Sequence, residues 1–143
     1  MNVDLIVEAL REVFPAETIE VRPVPLDEVF VALPPSCIHP AVRLLVERFN
    51  LRHLSAITGQ DLGDGIELLY HFWDGRGLTL RTTLPLEATS IVTLTDLIPG
   101  AAFFEREVSE MLRVSFNGHP DLRVLLMPDD WDGQPVMRQG GGE

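Results

Sequence analysis

The sequence predicts an α+β fold built in two layers. Three observations carry the prediction. Apolar residues recur at helical spacing near both ends of the chain. Alternating apolar runs occupy the middle, joined by a hairpin signal, Asp74-Gly75-Arg76-Gly77. The elements run helix, two strands, helix, about three strands, then helix and irregular tail, which is an α+β order.

The elements follow in order. Val3, Ile6, Val7, Leu10 and Phe14 predict an amphipathic helix over residues 2–14, ended by Pro15. Residues 18–21 read as a short strand broken by Pro23 and Pro25, and residues 29–33 as a second strand. Pro34-Pro35-Ser36 reads as a turn, and Pro40 suits the first turn of a second helix running to about Asn50. Residues 54–58 read as a strand, followed by a loop from Gly59 to Gly65. Residues 66–73 and 78–84 form the hairpin, and residues 91–94 a short strand.

A third helix carries Phe103-Phe104-Glu105-Arg106-Glu107. At 100° per residue, Phe104, Val108, Met111 and Leu112 share a stripe, with Glu105, Arg106, Glu110 and Arg113 on the other side. Glu107 falls on the flank of the stripe, where a carboxylate needs a partner. Arg123, a charge inside the apolar run from Leu122 to Met127, is the partner expected for a structural ion pair. Arg106 and Glu110, four apart, can pair on the exposed face. Asn117-Gly118-His119-Pro120-Asp121 reads as a turn. Asp129, Asp130 and Asp132 surround Trp131 in a loop that Gly133 and Pro135 close.

The chain has 143 residues and a net charge of -11, from 22 acids against 11 bases, all of them Arg. Such a balance argues against nucleic acid and against docking to anionic lipid. A single cysteine, Cys37, excludes an internal disulfide and points to a reducing compartment. No apolar run approaches the length of about 18 residues that a membrane helix needs. The start, Met1-Asn2-Val3-Asp4, lacks the basic beginning of a signal peptide, so a cytoplasmic location is expected. Length predicts one domain over residues 1–138, with residues 139–143 as a flexible Gly-rich tail.

Catalytic and cofactor chemistry finds little support. Cys37 and His39 lie in a Pro-rich connector with no third group to orient the His. His53, His71 and His119 show no recognised metal-ligand spacing. Asp130-Trp131-Asp132-Gly133 begins like a calcium loop, but Gln134 follows and no Glu closes it. Gly59 to Gly65 lacks the Gly-Lys-Ser/Thr ending of a phosphate loop, and one cysteine cannot hold an iron–sulfur cluster. Successive helical residues point about 100° apart, so Glu105 and Glu107 cannot readily flank one substrate atom. No catalytic, cofactor-binding or metal-binding residue and no bound cofactor are therefore expected. The competing reading is a small stand-alone enzyme using His119 or Cys37.

Glu-Arg-Glu followed by Met-Leu, then Phe-x-Gly-His-Pro-Asp-Leu-Arg, then Leu-Met-Pro-Asp-Asp-Trp, form a joint pattern from Glu105 to Trp131. This pattern resembles the C, or thirty-kilodalton, subunit of respiratory NADH:quinone oxidoreductase (complex I). Related domains occur in energy-converting hydrogenases and formate hydrogenlyase. The resemblance spans about His39 to Arg138. The chain differs from the family's usual pattern at Glu110 (usually Asp), Leu112-Arg113 (usually Phe-Gly) and Gln134 (usually His).

The resemblance implies a mixed sheet with helices packed on one face. It also implies a non-catalytic structural subunit of the peripheral arm that docks a hydrogenase-like large subunit near the quinone-reducing region, or a scaffolding subunit of a hydrogenase-type complex. Other peripheral-arm subunits are expected partners. Location would be cytoplasmic, held at the inner face of the cell membrane through partners. The surface expected to meet a partner combines Glu105, Arg106 and Glu110 of the helix, His119 and Asp121 of the turn, Arg123, and Asp129, Asp130 and Trp131 of the acidic loop.

Overall fold

The computed structural model describes residues 2–15, 20–24 and 28–120. Helix α1 is Val3–Val13, where residues 2–14 were expected. Its Asn2 side chain accepts the Leu5 N–H at 3.2 Å, an N-cap that satisfies one of the first-turn donors. Asp4 in the first turn and Arg11 in the last complement the helix dipole. Val3, Ile6, Ala9 and Leu10 are buried.

Strand β1 (Glu20–Val24) pairs antiparallel with β2 (Glu28–Ala32), and Val21 opposes Val31. Helix α2 is Pro35–Phe49. It begins five residues before Pro40, over the stretch expected to be a turn. Pro35 sits in the first helical turn, where its fixed φ fits and a missing N–H leaves no bond unmade. Pro40 is tolerated inside because Cys37, Ile38, Ala41, Val42 and Leu45 bury one side of the helix. The helix ends at Asn50, φ 52, and Leu51 N–H bonds back to Leu45 C=O at 3.0 Å.

Strands β3 (Leu54–Asp61), β4 (Gly65–Trp73) and β5 (Gly77–Pro85) follow. β3 runs on through Gly59 and Gln60, so the expected seven-residue loop shrinks to a turn. Asp61 makes that turn by accepting the Gly63 N–H at 2.8 Å, with Gly63 at φ 90. The sheet order is β1-β2-β5-β4-β3. β2 and β5 are parallel and the other pairs antiparallel, so the sheet is mixed, as expected.

One face of the sheet forms the core. Ile66, Leu68, Tyr70 and Phe72 alternate along β4 opposite Leu84, Thr82, Leu80 and Leu78 of β5, and all eight are buried. The helices cover this face, and the fold is α+β. The other face is half-open. There His71 lies between Thr58 and Thr79, its Nε2 3.0 Å from one hydroxyl and its Nδ1 3.1 Å from the other. Burial holds the His71 pKa below its ordinary value, with the Glu28 charge working against that shift. Next to it, Arg81 Nε donates to Glu67 Oε2 at 2.7 Å.

A second, two-stranded sheet joins β6 (Ser90–Val92) to β7 (Ser115–Asn117) in parallel. β7 has no counterpart in the sequence-based expectation. Between these strands runs helix α3 (Ala101–Leu112). It ends at Arg113, whose φ of 59 is left-handed. This is the position where the resembled family usually has Gly, and the geometry explains why: only Gly takes positive φ without steric cost.

The left-handed conformation costs an ordinary residue about 1–2 kcal/mol. Arg113→Gly is therefore expected to stabilise the chain by about 1 kcal/mol, read as a higher denaturant midpoint at unchanged slope. An unchanged or lower midpoint would show that the Arg113 side chain contributes more than its backbone costs.

Candidate functional site

The Glu-Arg-Glu segment lies on α3, and the helix buries a wider face than expected. Its buried residues are Ala101, Glu105, Val108 and Leu112, spaced i, i+4, i+7 and i+11. Phe103 is 52% exposed, and Glu105 has no exposure at all. The expectation that Glu105 faces outward toward a partner is therefore corrected: it is the buried acid of the motif. The signal was present in small Ala101, four residues before Glu105, and in Val108, three residues after it. The expected stripe does face the core, with Val108 and Leu112 buried and Phe104 and Met111 packed partly buried beside them. The buried face extends past it to Glu105, and Phe103, outside the stripe, packs edge to face on Phe104 with ring centroids 6.1 Å apart.

The Glu105 carboxylate organises the segment between β6 and α3. Oε1 accepts the Thr93 hydroxyl at 2.5 Å, and Oε2 accepts the Leu94 N–H at 2.8 Å. The same Thr93 oxygen accepts the Thr95 N–H at 3.1 Å. Leu94 C=O then takes the N–H groups of Leu97 and Ile98, which closes the turn that leads into α3. Neither Thr93 nor Leu94 was singled out in the sequence, since a Thr-Leu-Thr run has no motif value without its partner.

His119 completes the cluster. Its Nε2 lies 3.0 Å from the Ala102 carbonyl, which can only accept, so this nitrogen carries the hydrogen. The same atom is 3.9 Å from Glu105 Oε1, and the side chains of both residues are fully buried. His119 was expected on a partner-facing turn; its ring instead points inward and closes the turn onto α3. Burial raises the Glu105 pKa above the ordinary carboxylate range. The bonds from Thr93 and Leu94 and the His119 ring oppose that rise, and Asp96 adds to it. Tyr70, from the sheet, is fully buried, and burial followed by the Glu105 charge pushes its phenol well above its ordinary pKa.

The remaining expected residues fall elsewhere. Arg106 and Glu110 are half-buried, not fully exposed, and Arg106 Nε has no hydrogen-bond partner among the described residues. Glu107 is half-buried at a groove between β3 and α3. Its expected partner Arg123 lies outside the described residues, as do Asp121, Asp129, Asp130 and Trp131. Cys37 is buried in α2 and not in a connector. His39 does have an orienting group: Asp96 Oδ2 lies 2.9 Å from its Nε2 and ties α2 to the segment before α3. The Cys37 and His119 side chains, the two on which a stand-alone enzyme would rely, are both buried.

A family model described as the respiratory-chain NADH dehydrogenase 30 kDa subunit matches residues 31–140. The chain belongs to that family. The C subunit of the NADH-quinone oxidoreductase of Salinispora arenicola is 34% identical over 94% of this chain and 60% of that protein. The chain thus spans about 60% of the length of the first curated relatives it matches. The C/D subunit of the NADH-quinone oxidoreductase of Phocaeicola vulgatus is 32% identical over 76% of this chain and 22% of that protein. Among solved structures, a chain of the archaeal membrane-bound sulfane sulfur reductase, a respiratory membrane complex, aligns with TM-score 0.76 and 25% identity. The alignment covers 91% of this chain and 79% of that one. Within this family frame the first Glu of Glu-Arg-Glu is a residue of the interior.

The raised pKa sets a sign for the pH dependence. A carboxyl that is easier to keep protonated when folded stabilises the fold below its unfolded pKa. That contribution is lost as pH rises through the elevated folded value. Unfolding free energy measured from about pH 4 to about pH 8 should show this loss in the parent chain and lack it in Glu105→Gln, which cannot titrate. Glu105→Ala leaves the Leu94 N–H and the Thr93 hydroxyl without their acceptor and should cost about 2–4 kcal/mol. A parent profile that matches that of Glu105→Gln would contradict the buried, shifted carboxyl.

Proposed function

We propose that this chain is the C-type structural subunit of a respiratory complex I-type assembly. It acts by contact with a large partner subunit and performs no chemistry itself. The observation that carries this reading is the family match over residues 31–140, together with a motif whose acid and imidazole are turned inward and used to hold the fold. The relative whose name joins C and D favours a D-type subunit as the neighbour. We take that neighbour to be the hydrogenase-like large subunit, docked near the quinone-reducing region.

The partner-facing set is accordingly smaller than the motif. It comprises Arg106, Glu110 and, from the tail, Asp121, Arg123, Asp129, Asp130 and Trp131, with Trp131 as the aromatic anchor. Residues 1–138 make one domain on this reading. No helix among the described residues is long and apolar enough to cross a membrane. Attachment to the inner face of the membrane would then run through partner subunits. A second reading, a scaffolding subunit of a hydrogenase-type or related complex, draws on the likeness to the sulfane sulfur reductase chain, which serves a different reaction.

Affinity purification of the tagged chain from gently solubilised membranes of its own host tests the proposal. A D-type large subunit should be retained, and Trp131→Ala should lower its retention at least tenfold, about 1.4 kcal/mol. Recovery of the chain alone, from cells that assemble an intact complex, would overturn the reading.

A further inference from the structure

The two edges of the main sheet differ. β1, at one edge, carries Glu20, Arg22 and Pro23, charges and a missing donor that discourage a further strand. β3, at the other, carries no such device over Ile57-Thr58-Gly59-Gln60; its one irregularity lies at the far end, between Leu54 and Ala56. Thr58, Gly59 and Gln60 are exposed, and among the described residues β3 pairs only with β4. An edge of this kind offers a row of backbone N–H and C=O groups to another chain.

Beside that edge lies a groove of about 400 Å³, walled by residues 58–61 on one side and by Glu107, Val108, Met111 and Leu112 of α3 on the other. Gly59 sets its shape. A Cβ there would stand 2.5 Å from Leu112 Cδ1 and 3.4 Å from Val108 Cγ1, so α3 rests directly on the bare backbone of β3. The floor is apolar, through Val108, Met111 and Leu112. Among the described residues the lining includes two carboxylates, Asp61 and Glu107, and no cation.

We propose that this groove receives an extended, basic segment of the partner subunit, which adds a strand to the edge of β3. An apolar side chain would rest on Val108 and Met111, and a Lys or Arg would meet Asp61 and Glu107. Net charge argues against the simplest alternatives. A second copy brings another net -11. The chain's own residues 121–143 bring two Arg against five acids, Asp121, Asp129, Asp130, Asp132 and Glu143, a net charge of 2 - 5 = -3. Neither has the net charge to complement an acidic groove, and the one tail cation expected near Glu107, Arg123, is told apart from a partner's by protection in the free chain.

The proposal rests on assembly with a partner, and its test separates the two. Amide hydrogen exchange is measured on the full chain alone and in the affinity-purified complex. The outward-facing amides of residues 57–61 should exchange freely in the first and be protected at least tenfold in the second. Asp61→Asn keeps the acceptor for Gly63 N–H and removes the charge; combined with Glu107→Arg it should lower partner retention at least tenfold. Circular dichroism of the free variant serves as the control for folding. A complex that forms while residues 57–61 exchange as in the free chain overturns the groove and leaves the assembly standing. Protection already present in the free chain also overturns it, with sedimentation distinguishing a second copy from the chain's own tail. If no complex is recovered, both proposals fall together.

Discussion

The buried carboxylate of Glu105 is the interaction on which the C-terminal half of the described fold depends. It joins α3 to Thr93 and Leu94 after β6, and it stands beside the His119 ring after β7. An uncompensated carboxylate in the interior would cost several kcal/mol. Two hydrogen bonds to a charged acceptor, each contributing about 1.5–3 kcal/mol, offset a large part of that cost. The balance explains why the acid is tolerated, and also why it is easily protonated there. Its benefit is positional: one side chain locks the turn, the helix and the second sheet at a single point.

That lock places α3 against β3 and so shapes the flank of the molecule. Gly59 lets the helix come down onto the strand, and Leu112 fills the space that a side chain would have taken. On the open face the polar residues are tied to one another, Thr58 to His71 to Thr79 and Arg81 to Glu67. Polar groups satisfied within the face leave few donors there for a partner. At the edge the reverse holds: Thr58 to Gln60 is neutral, exposed and without a blocking Pro or bulge. The two faces and two edges of one sheet thus have different chemical roles, and the differences come from single residues such as Pro23 and Gly59.

The departures from the usual family pattern also acquire physical meaning. Arg113 holds a left-handed backbone position that Gly would hold without strain. Leu112 replaces an aromatic at the residue that packs over Gly59, so the helix–strand contact is made by a smaller, branched side chain. Neither change disturbs Glu105, His119 or Thr93, which lie deeper in the fold. Among the described residues the altered positions, Glu110, Leu112 and Arg113, lie at the C-terminal end of α3, where Leu112 lines the groove.

Much of the fold was legible in the chain itself. Alternation along Ile66–Trp73 and Leu78–Leu84, with Asp74-Gly75 between them, determined the hairpin, because a two-residue period allows one buried face. Apolar spacing determined α1, and the joint motif from Glu105 to Trp131 determined the family. The start of α2 was not legible, since Pro34-Pro35 reads equally as a turn or as the first turn of a helix, and the buried contacts of Cys37 and Ile38 decide between them. β7 was hidden because three residues carry no periodicity; its pairing with β6 exists only in space. The extent of the buried face of α3 was decided by tertiary structure too. A helix wheel with Glu105 next to Phe104 leaves the edge of the stripe open. Glu105 was drawn inside it by a Thr hydroxyl and a backbone N–H twelve and eleven residues away, waiting for a carboxylate that water could not reach.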